Sequence, residues 1–362
     1  FFHFKNNFFL LICLVILKKY NKYGKIFRLR YLFYLIVEEE KFMIKIYTAP
    51  IAGVTDYTYR GILKEFKPDL LFTEMVSINA LEVACEKTLK VILRLREGDS
   101  VQLFGKDIKK MVESAKFVES LGVKHIDINS GCPMKKIVNN GYGAALMEQP
   151  ELVKAMLSEV RSALNDKTDL SIKIRVGYKE SKNPVEIAKI AQETGCKHIT
   201  IHGRTREQMY TGKADWSIIK EVKESVDIPV IGNGDIFTAE DAKERVDYSG
   251  VDGIMLARGI FGNPWLIRDI REYFEYGKIL HPVTDIEKID MAIKHTERTE
   301  VEHPERPFIF ELRKHLCWYL KGIRNTAEIK DKINHTDNYN EIVELLNRVK
   351  DNLLSEPEIV SM

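Results

Sequence analysis

The 362-residue chain has only five cysteines, Cys13, Cys85, Cys132, Cys196 and Cys317, and no CxxC pair among them. Cysteines so few and so scattered exclude a disulfide framework and a structural zinc site, and point to a reducing, cytoplasmic compartment. No GxGxxG follows an early strand-like run, so a dinucleotide bound in the Rossmann manner is not expected. A long apolar run is missing from the opening segment. "FFLLICLVIL" (Phe8–Leu17) has ten residues, about half of the roughly 20 that a membrane-spanning helix needs. Lysines rather than a small-residue cleavage site follow it, which argues against a secretory signal core, with a membrane anchor as the weaker alternative. Net charge is low at +2, and residues 1–42, with eight Lys or Arg against three Glu, more than account for it. Bulk charge therefore gives no support to a nucleic-acid partner, which must be sought in local patches. Residues 1–42 are expected to be a translated upstream or disordered extension outside the fold. No metal, membrane or obligate protein partner is expected.

What is present from Met43 onward is a repeat of short β-rich runs, polar loops and amphipathic helices. The strand candidates are 45–51, 70–74, 101–105, 125–129, 171–175, 198–202, 229–233 and 253–257, with helical stretches such as "DIKKMVESAKFVESLG" between them. Eight βα units without a break predict an α/β fold, a (β/α)8 TIM barrel over residues 43–275. Residues 280–356 lack strand signals and read as a C-terminal helical domain.

Alternation along the strands sorts the side chains. Ile126 and Ile128 alternate with Asp127 and Asn129, Ile172 and Ile174 with Lys173 and Arg175, and Ile199 and Ile201 with Thr200 and His202. The isoleucines are expected to face the helix ring and the polar set the barrel axis. Polar residues from three adjacent strands, near their carboxyl ends, mark the face where barrel enzymes build their sites. Lys173 fits either a Schiff-base lysine or a cation for a negative group. Gln102 offers an amide to a ring edge, and Asp127 reads as a structural hydrogen-bonding group.

Two loops suit phosphate. "GNGD" (Gly232–Asp235) ends the seventh strand candidate and "ARGIFGNPW" (Ala257–Trp265) the eighth, the two loops where barrels commonly hold that anion. Arg258 adds a cationic fork. In "DINSGCPMKKIVNNGYGAALM" (Asp127–Met147), Cys132 follows a strand, with Lys135 and Lys136 nearby in the chain. Electropositive surroundings favour thiol reactivity, whereas the other cysteines read as structural. Gly131, Gly141 and Gly143 would give this segment freedom to close over a bound base.

These stretches, with "APIAGVTDYTYR", "IKIRVGY", "TIHGRTREQMYTGKADW" and "LRKHLCWYLKG", together resemble the tRNA-dihydrouridine synthases of bacterial type from about Lys45 to about Ile333. The resemblance implies an FMN-bearing barrel that reduces uridine in tRNA with NADPH. Cys132 stands where that family has its proton donor to uracil C5. Pro50, Ile51 and Ala52 match the segment along the flavin ring, and Gln102 and Lys173 its ring contacts. His202 and Asn129 match residues near flavin and base. Asn233, Gly234, Asp235, Ala257 and Arg258 match the phosphate loops. Ile51 stands where Met is usual and Ala257 where Gly is common; neither change removes a backbone donor.

For tRNA, the resemblance favours Lys135 and Lys136 beside the cysteine, and Arg204, Arg206 and Lys213 after the sixth strand candidate. Residues 306–332 hold seven Lys or Arg against three acids, so Arg313, Lys314, Lys321 and Arg324 form either a phosphate-contacting strip or a solvated face. A barrel acting on a free pyrimidine, in the manner of dihydroorotate dehydrogenases, would not need this helical segment. A Schiff-base lyase would be colourless where a flavoprotein is yellow.

Overall fold

The computed structural model describes residues 44–179, 183–303 and 308–355, so the expectation for residues 1–42 lies outside the described residues. Nine parallel strands appear in chain order. They are β1 (Lys45–Thr48), β2 (Leu70–Phe72), β3 (Val76–Ser77), β4 (Asp99–Phe104), β5 (His125–Ser130), β6 (Asp169–Gly177), β7 (His198–Thr205), β8 (Val230–Asn233) and β9 (Gly253–Leu256). β1 pairs with both β2 and β9, and β2 with β4, so the sheet closes on itself as an eight-position barrel.

The second position is shared by β2 and β3, where one continuous run over 70–74 was expected. Thr73 still donates its N–H to Ser100 O at 2.9 Å, but Glu74 turns away to accept the Gly53 N–H at 2.8 Å. The chain rejoins β4 only at Val76, and the break lets Met75 face the barrel mouth. β1 is also shorter than expected. Ala49 still donates its N–H to Leu256 O at 2.8 Å, but Pro50 carries no N–H to continue the ladder, so the chain leaves the sheet from Pro50 onward.

Helices α1 (Tyr57–Glu65), α2 (Ile78–Glu82), α3 (Ile108–Ser120), α4 (Lys135–Val138), α5 (Pro150–Ala163), α6 (Pro184–Glu193), α7 (Trp216–Ser225), α8 (Ala239–Ser249) and α9 (Leu266–Tyr276) surround the barrel. Local chemistry starts them: Asp56, Asp107 and Asp215 cap α1, α3 and α7, and Thr238 and Asp241 form a capping box on α8. Proline at the first turn opens α5 and α6. The strand isoleucines Ile126, Ile128, Ile172, Ile174, Ile199 and Ile201 are buried against this helical sheath, as the alternation predicts. Inside the barrel, Tyr47, Phe72, His125 and His198 plug the amino-terminal end, with His125 stacked on His198 at 5.0 Å between centroids.

Beyond the barrel, α10 (Asp285–Glu302), α11 (Ile309–Tyr319), α12 (Ala327–His335) and α13 (Tyr339–Ser355) enclose a second apolar cluster around Ile289, Leu316, Ile342 and Leu346. Helix α12 lies within the segment expected to be helical, and it is the least apolar part of it. Its apolar signal is short, and Ile333 is its single fully buried residue. Glu302 anchors the bundle to the barrel: it accepts from Arg96 at 2.6 Å, Thr58 at 2.8 Å and Arg298 at 2.9 Å. Among the described residues, no helix is long and apolar enough to cross a membrane.

Candidate active site

A cavity of about 570 Å³ opens at the carboxyl end of the barrel, within the size range of small-molecule sites. Pro50, Ile51, Ala52, Gln102, Asn129, Cys132, Lys173, His202, Asn233, Gly234, Asp235, Ala257, Arg258 and Lys314 all line it, brought from eight separate stretches of sequence. Its lining includes four cations, Lys173, Arg175, Arg258 and Lys314, against the single carboxylate of Asp235. Such a wall suits an anionic ligand, and the apolar share, from Ile51, Met75, Met255 and Phe261, suits a flat ring. No group of three or more His, Cys, Asp or Glu suited to a metal occurs among the described residues.

The phosphate loops are built by close approach. A side chain at Gly234, where φ is +126°, would lie 2.7 Å from Ala214 Cβ and 3.0 Å from the His202 ring, so only glycine fits. Asp235, matched to the same loop, lines the cavity, but its carboxylate is engaged within the protein. It accepts from Arg204 Nη2 at 2.8 Å, Ala214 N at 2.7 Å and Arg258 Nη2 at 3.2 Å, and it is held below the usual range. Burial pushes that carboxyl up, but the Ala214 N–H and the two arginines outweigh it. Asp235 thereby aims Arg258 at the cavity.

Lys173 donates to Asn233 Oδ1 at 3.2 Å, and Asn233 is fixed in turn by donating to Met255 O at 2.6 Å. Enclosure by protein, followed by repulsion from Arg175, lowers the Lys173 ammonium to about 8. His202 is pushed well below its ordinary value by burial and by Arg175, Lys173, Arg204 and Arg258. It is therefore neutral. Its Nε2 faces an Arg204 N–H at 3.4 Å, and because arginine only donates, Nδ1 carries the proton.

Cys132 sits half-buried on the rim, its N–H donating to Asn129 Oδ1 at 2.9 Å. Burial pushes its thiol up, while the Met134 N–H, Arg175 and Lys173 pull the other way without winning. The thiol stays protonated at neutral pH. Lys135 and Lys136, expected to provide its positive surroundings, are exposed on α4, and the cations the thiol senses come from β6. Gly143 is packed closely against the cysteine loop. A Cβ there would lie 2.7 Å from Cys132 O, and the adjacent Ala144 N–H bonds that same oxygen at 3.0 Å.

Several tRNA candidates are relocated. Arg204 is 2% exposed, and its guanidinium is spent on Thr211 O, Gly212 O and Asp235, so it is a loop brace and not a surface contact. Arg206 is half-buried with its guanidinium 5.5 Å from the Tyr178 ring. Arg313 donates to Thr336 O and Asp337, and Lys314 turns into the cavity, leaving Lys321 and Arg324 as the exposed remnant of the expected strip. Adjacent helical residues point in different directions, so 313 and 314 could not share a face. Sequence reasoning did not assign Met75, Tyr210, Phe237 or Trp318 to the lining. Arg175 was left undecided beside Lys173. It bonds Gly131 O, Thr205 O and Met209 O, tying the cysteine loop to the loop after β7.

A parallel barrel with a cationic, partly apolar cavity at its carboxyl end and a protonated thiol on the rim has the architecture of a barrel enzyme, with a cavity suited to a planar, anionic ligand. The family model for dihydrouridine synthase matches residues 47–354. A Rickettsia conorii protein named probable tRNA-dihydrouridine synthase is 40% identical over 290 residues, 79% of this chain and 87% of that protein. The tRNA-dihydrouridine synthase B of Pasteurella multocida is 37% identical over 293 residues, 80% of this chain and 88% of its own length. The protein of that name from Shewanella oneidensis is 38% identical over 275 residues, 75% of this chain and 85% of its own. The chain belongs to the dihydrouridine synthase family.

Proposed function

We propose that this protein reduces uridine in tRNA to 5,6-dihydrouridine in the cytoplasm, with FMN in the barrel cavity and NADPH as reductant. The observation that carries the reading is the placement of the protonated Cys132 thiol on the rim of a cavity with four cations and an apolar wall. FMN bound there and reduced by NADPH would supply a hydride for C6 of the uracil ring. Arg258, held by Asp235, and the backbone at Asn233, Gly234 and Ala257 bind the FMN phosphate. Pro50, Ile51, Ala52, Gln102 and Lys173 meet its ring.

Hydride addition drives negative charge toward the uracil C4 oxygen. Lys173 and the Nδ1–H of His202 are donors available to offset it in a site shielded from water, with Asn129 lining the same cavity. Cys132 then gives its proton to C5 and is reprotonated from solvent. A thiol kept protonated by burial is suited to that task and poorly suited to nucleophilic attack. The uridine must leave the folded tRNA to reach the cavity. Met134, 48% exposed, and Tyr210, 50% exposed, flank the opening through which it would enter.

The test is mass mapping of nuclease-digested tRNA from cells with and without this protein. A two-hydrogen mass gain at a uridine that disappears with the gene supports the reading. Identical tRNA in both strains sinks it.

A further inference from the structure

A line of buried polar side chains runs up the barrel axis from the floor to the cysteine loop. His125 Nε2 lies 2.9 Å from Ser171 Oγ, and Ser171 Oγ donates to Asp127 Oδ1 at 2.5 Å. From the other side Gln102 Nε2 donates to Asp127 Oδ2 at 2.6 Å, and Asn129 Nδ2 donates to Gln102 Oε1 at 2.6 Å. Asn129 Oδ1 then accepts the N–H groups of Gly131 at 3.1 Å and Cys132 at 2.9 Å. Every member is at most 7% exposed, apart from the half-buried Cys132 itself.

The direction of donation along this line is fixed at both ends. At the top the Gly131 and Cys132 N–H groups can only donate to Asn129 Oδ1, and at the bottom the Asp127 carboxylate can only accept from Gln102. Amides can be read either way round, and so can a hydroxyl, but an ionised carboxylate only accepts. Asp127 therefore forces Gln102 to present its NH₂ downward and its carbonyl upward. That carbonyl and the loop N–H groups together make Asn129 spend its NH₂ on Gln102 and offer its oxygen to the cysteine loop. Reversal of either amide would set an NH₂ against the Cys132 N–H and leave buried donors unpaired. Burial raises the Asp127 carboxyl to about 6, against the lowering effect of Ser171, Gln102 and Lys173, so it is a carboxylate at neutral pH.

We propose that Asp127 is a positioning residue for the proton-transfer step: by fixing the lower end of the Gln102–Asn129 pair it holds the Cys132 backbone, and with it the thiol, over the cavity. The carboxylate touches neither ligand nor thiol and acts only through the two amides. The proposal rests on the reading of Cys132 as proton donor, and its test separates the two.

The experiment uses full-length holoenzyme reduced anaerobically with NADPH and then mixed with tRNA lacking dihydrouridine. Asp127→Asn, isosteric but able to donate as well as accept, is expected to keep flavin content and NADPH-driven reduction. Reoxidation of the flavin by tRNA slows by about tenfold or more, while reoxidation by oxygen is unchanged. In a Cys132→Ala background, Asp127→Asn is expected to produce no further loss, because both act on the same step. Ser171→Ala removes one donor but leaves the carboxylate and the Gln102–Asn129 direction intact, so it stays within about a factor of two of wild type. Hydrogen exchange of the segment 129–134, which needs no turnover, is expected to speed up in Asp127→Asn and not in Ser171→Ala.

Three results would overturn the proposal: flavin loss in Asp127→Asn, an equal additional loss on top of Cys132→Ala, or equal effects of Ser171→Ala and Asp127→Asn. Full tRNA reduction by Cys132→Ala alone would instead remove the proton-donor reading, whatever Asp127 does.

Discussion

Two buried acids of different strength do different work within one loop and strand. Cys132 is kept protonated because burial outweighs Arg175 and Lys173, which argues for an acid and against a nucleophile. Asp127, two residues before the end of the same strand polar set, is pushed up to about 6 by burial, from an ordinary 3.8. The sign of its linkage follows. A carboxyl raised in the fold stabilises nothing by ionising: the folded state is favoured below the unfolded value and loses stability as pH rises through about 6. Asp127→Asn removes that titration. Its unfolding stability relative to wild type is expected to rise between about pH 4 and pH 8, by an amount on the order of 2–3 kcal/mol, with the thermal midpoint rising in step. Parallel melting curves at the two ends of that range check it; a difference that is flat or shrinks with pH would show that Asp127 does not ionise inside the barrel.

At the scale of elements, β5 and β6 and the loop between them carry the chemistry, and their backbone leaves little slack. Gly143 has φ of +59° and meets Cys132 O at a distance no Cβ tolerates. Gly143→Ala is expected to cost about 1–3 kcal/mol of stability and to lower tRNA reduction more than flavin binding. Chemical denaturation together with flavin absorbance measures both; an alanine variant with unchanged turnover would mean that the loop has another way to seat Cys132. Much of this region was legible in advance. The period-2 isoleucines of β5, β6 and β7 announced which side chains face the axis, because a strand leaves no other choice. Side-chain partners were not legible. Arg204 and Asp235 lie 31 positions apart in sequence and meet only because β7 and β8 are neighbours. An arginine that looks like a surface contact in a polar loop is thus a buried brace.

For the whole molecule, closure of the barrel gathers residues from Pro50 to Lys314 into one cavity. The repeat of βα units foretold that closure, since eight parallel strands bury both their edges only by meeting. The break between β2 and β3 was hidden, because it depends on Glu74 turning to the Gly53 N–H across the mouth. The C-terminal helices were foreseen as helices, but the division of their cations was not. Arg313 is tied down and Lys314 faces the cavity, so Lys321 and Arg324 remain exposed, and they are the residues we propose for tRNA phosphate. Lys321→Ala with Arg324→Ala is expected to raise KM for tRNA several-fold, leave kcat nearly unchanged and flatten the salt dependence of binding by about two phosphate contacts. Unaltered KM and salt slope in steady-state assays would place the tRNA elsewhere on the surface.

The central claim joins these scales: the barrel holds a flavin, and Cys132 delivers the proton that completes reduction of a tRNA uridine. Its most direct test is a single turnover of NADPH-reduced enzyme with unmodified tRNA, following flavin reoxidation and counting dihydrouridine formed. Wild type is expected to reoxidise with one dihydrouridine per flavin, and Cys132→Ala to retain the reduced flavin while slowing that step by about a hundredfold or more. Reoxidation of Cys132→Ala at the wild-type rate, with full product, would contradict the account.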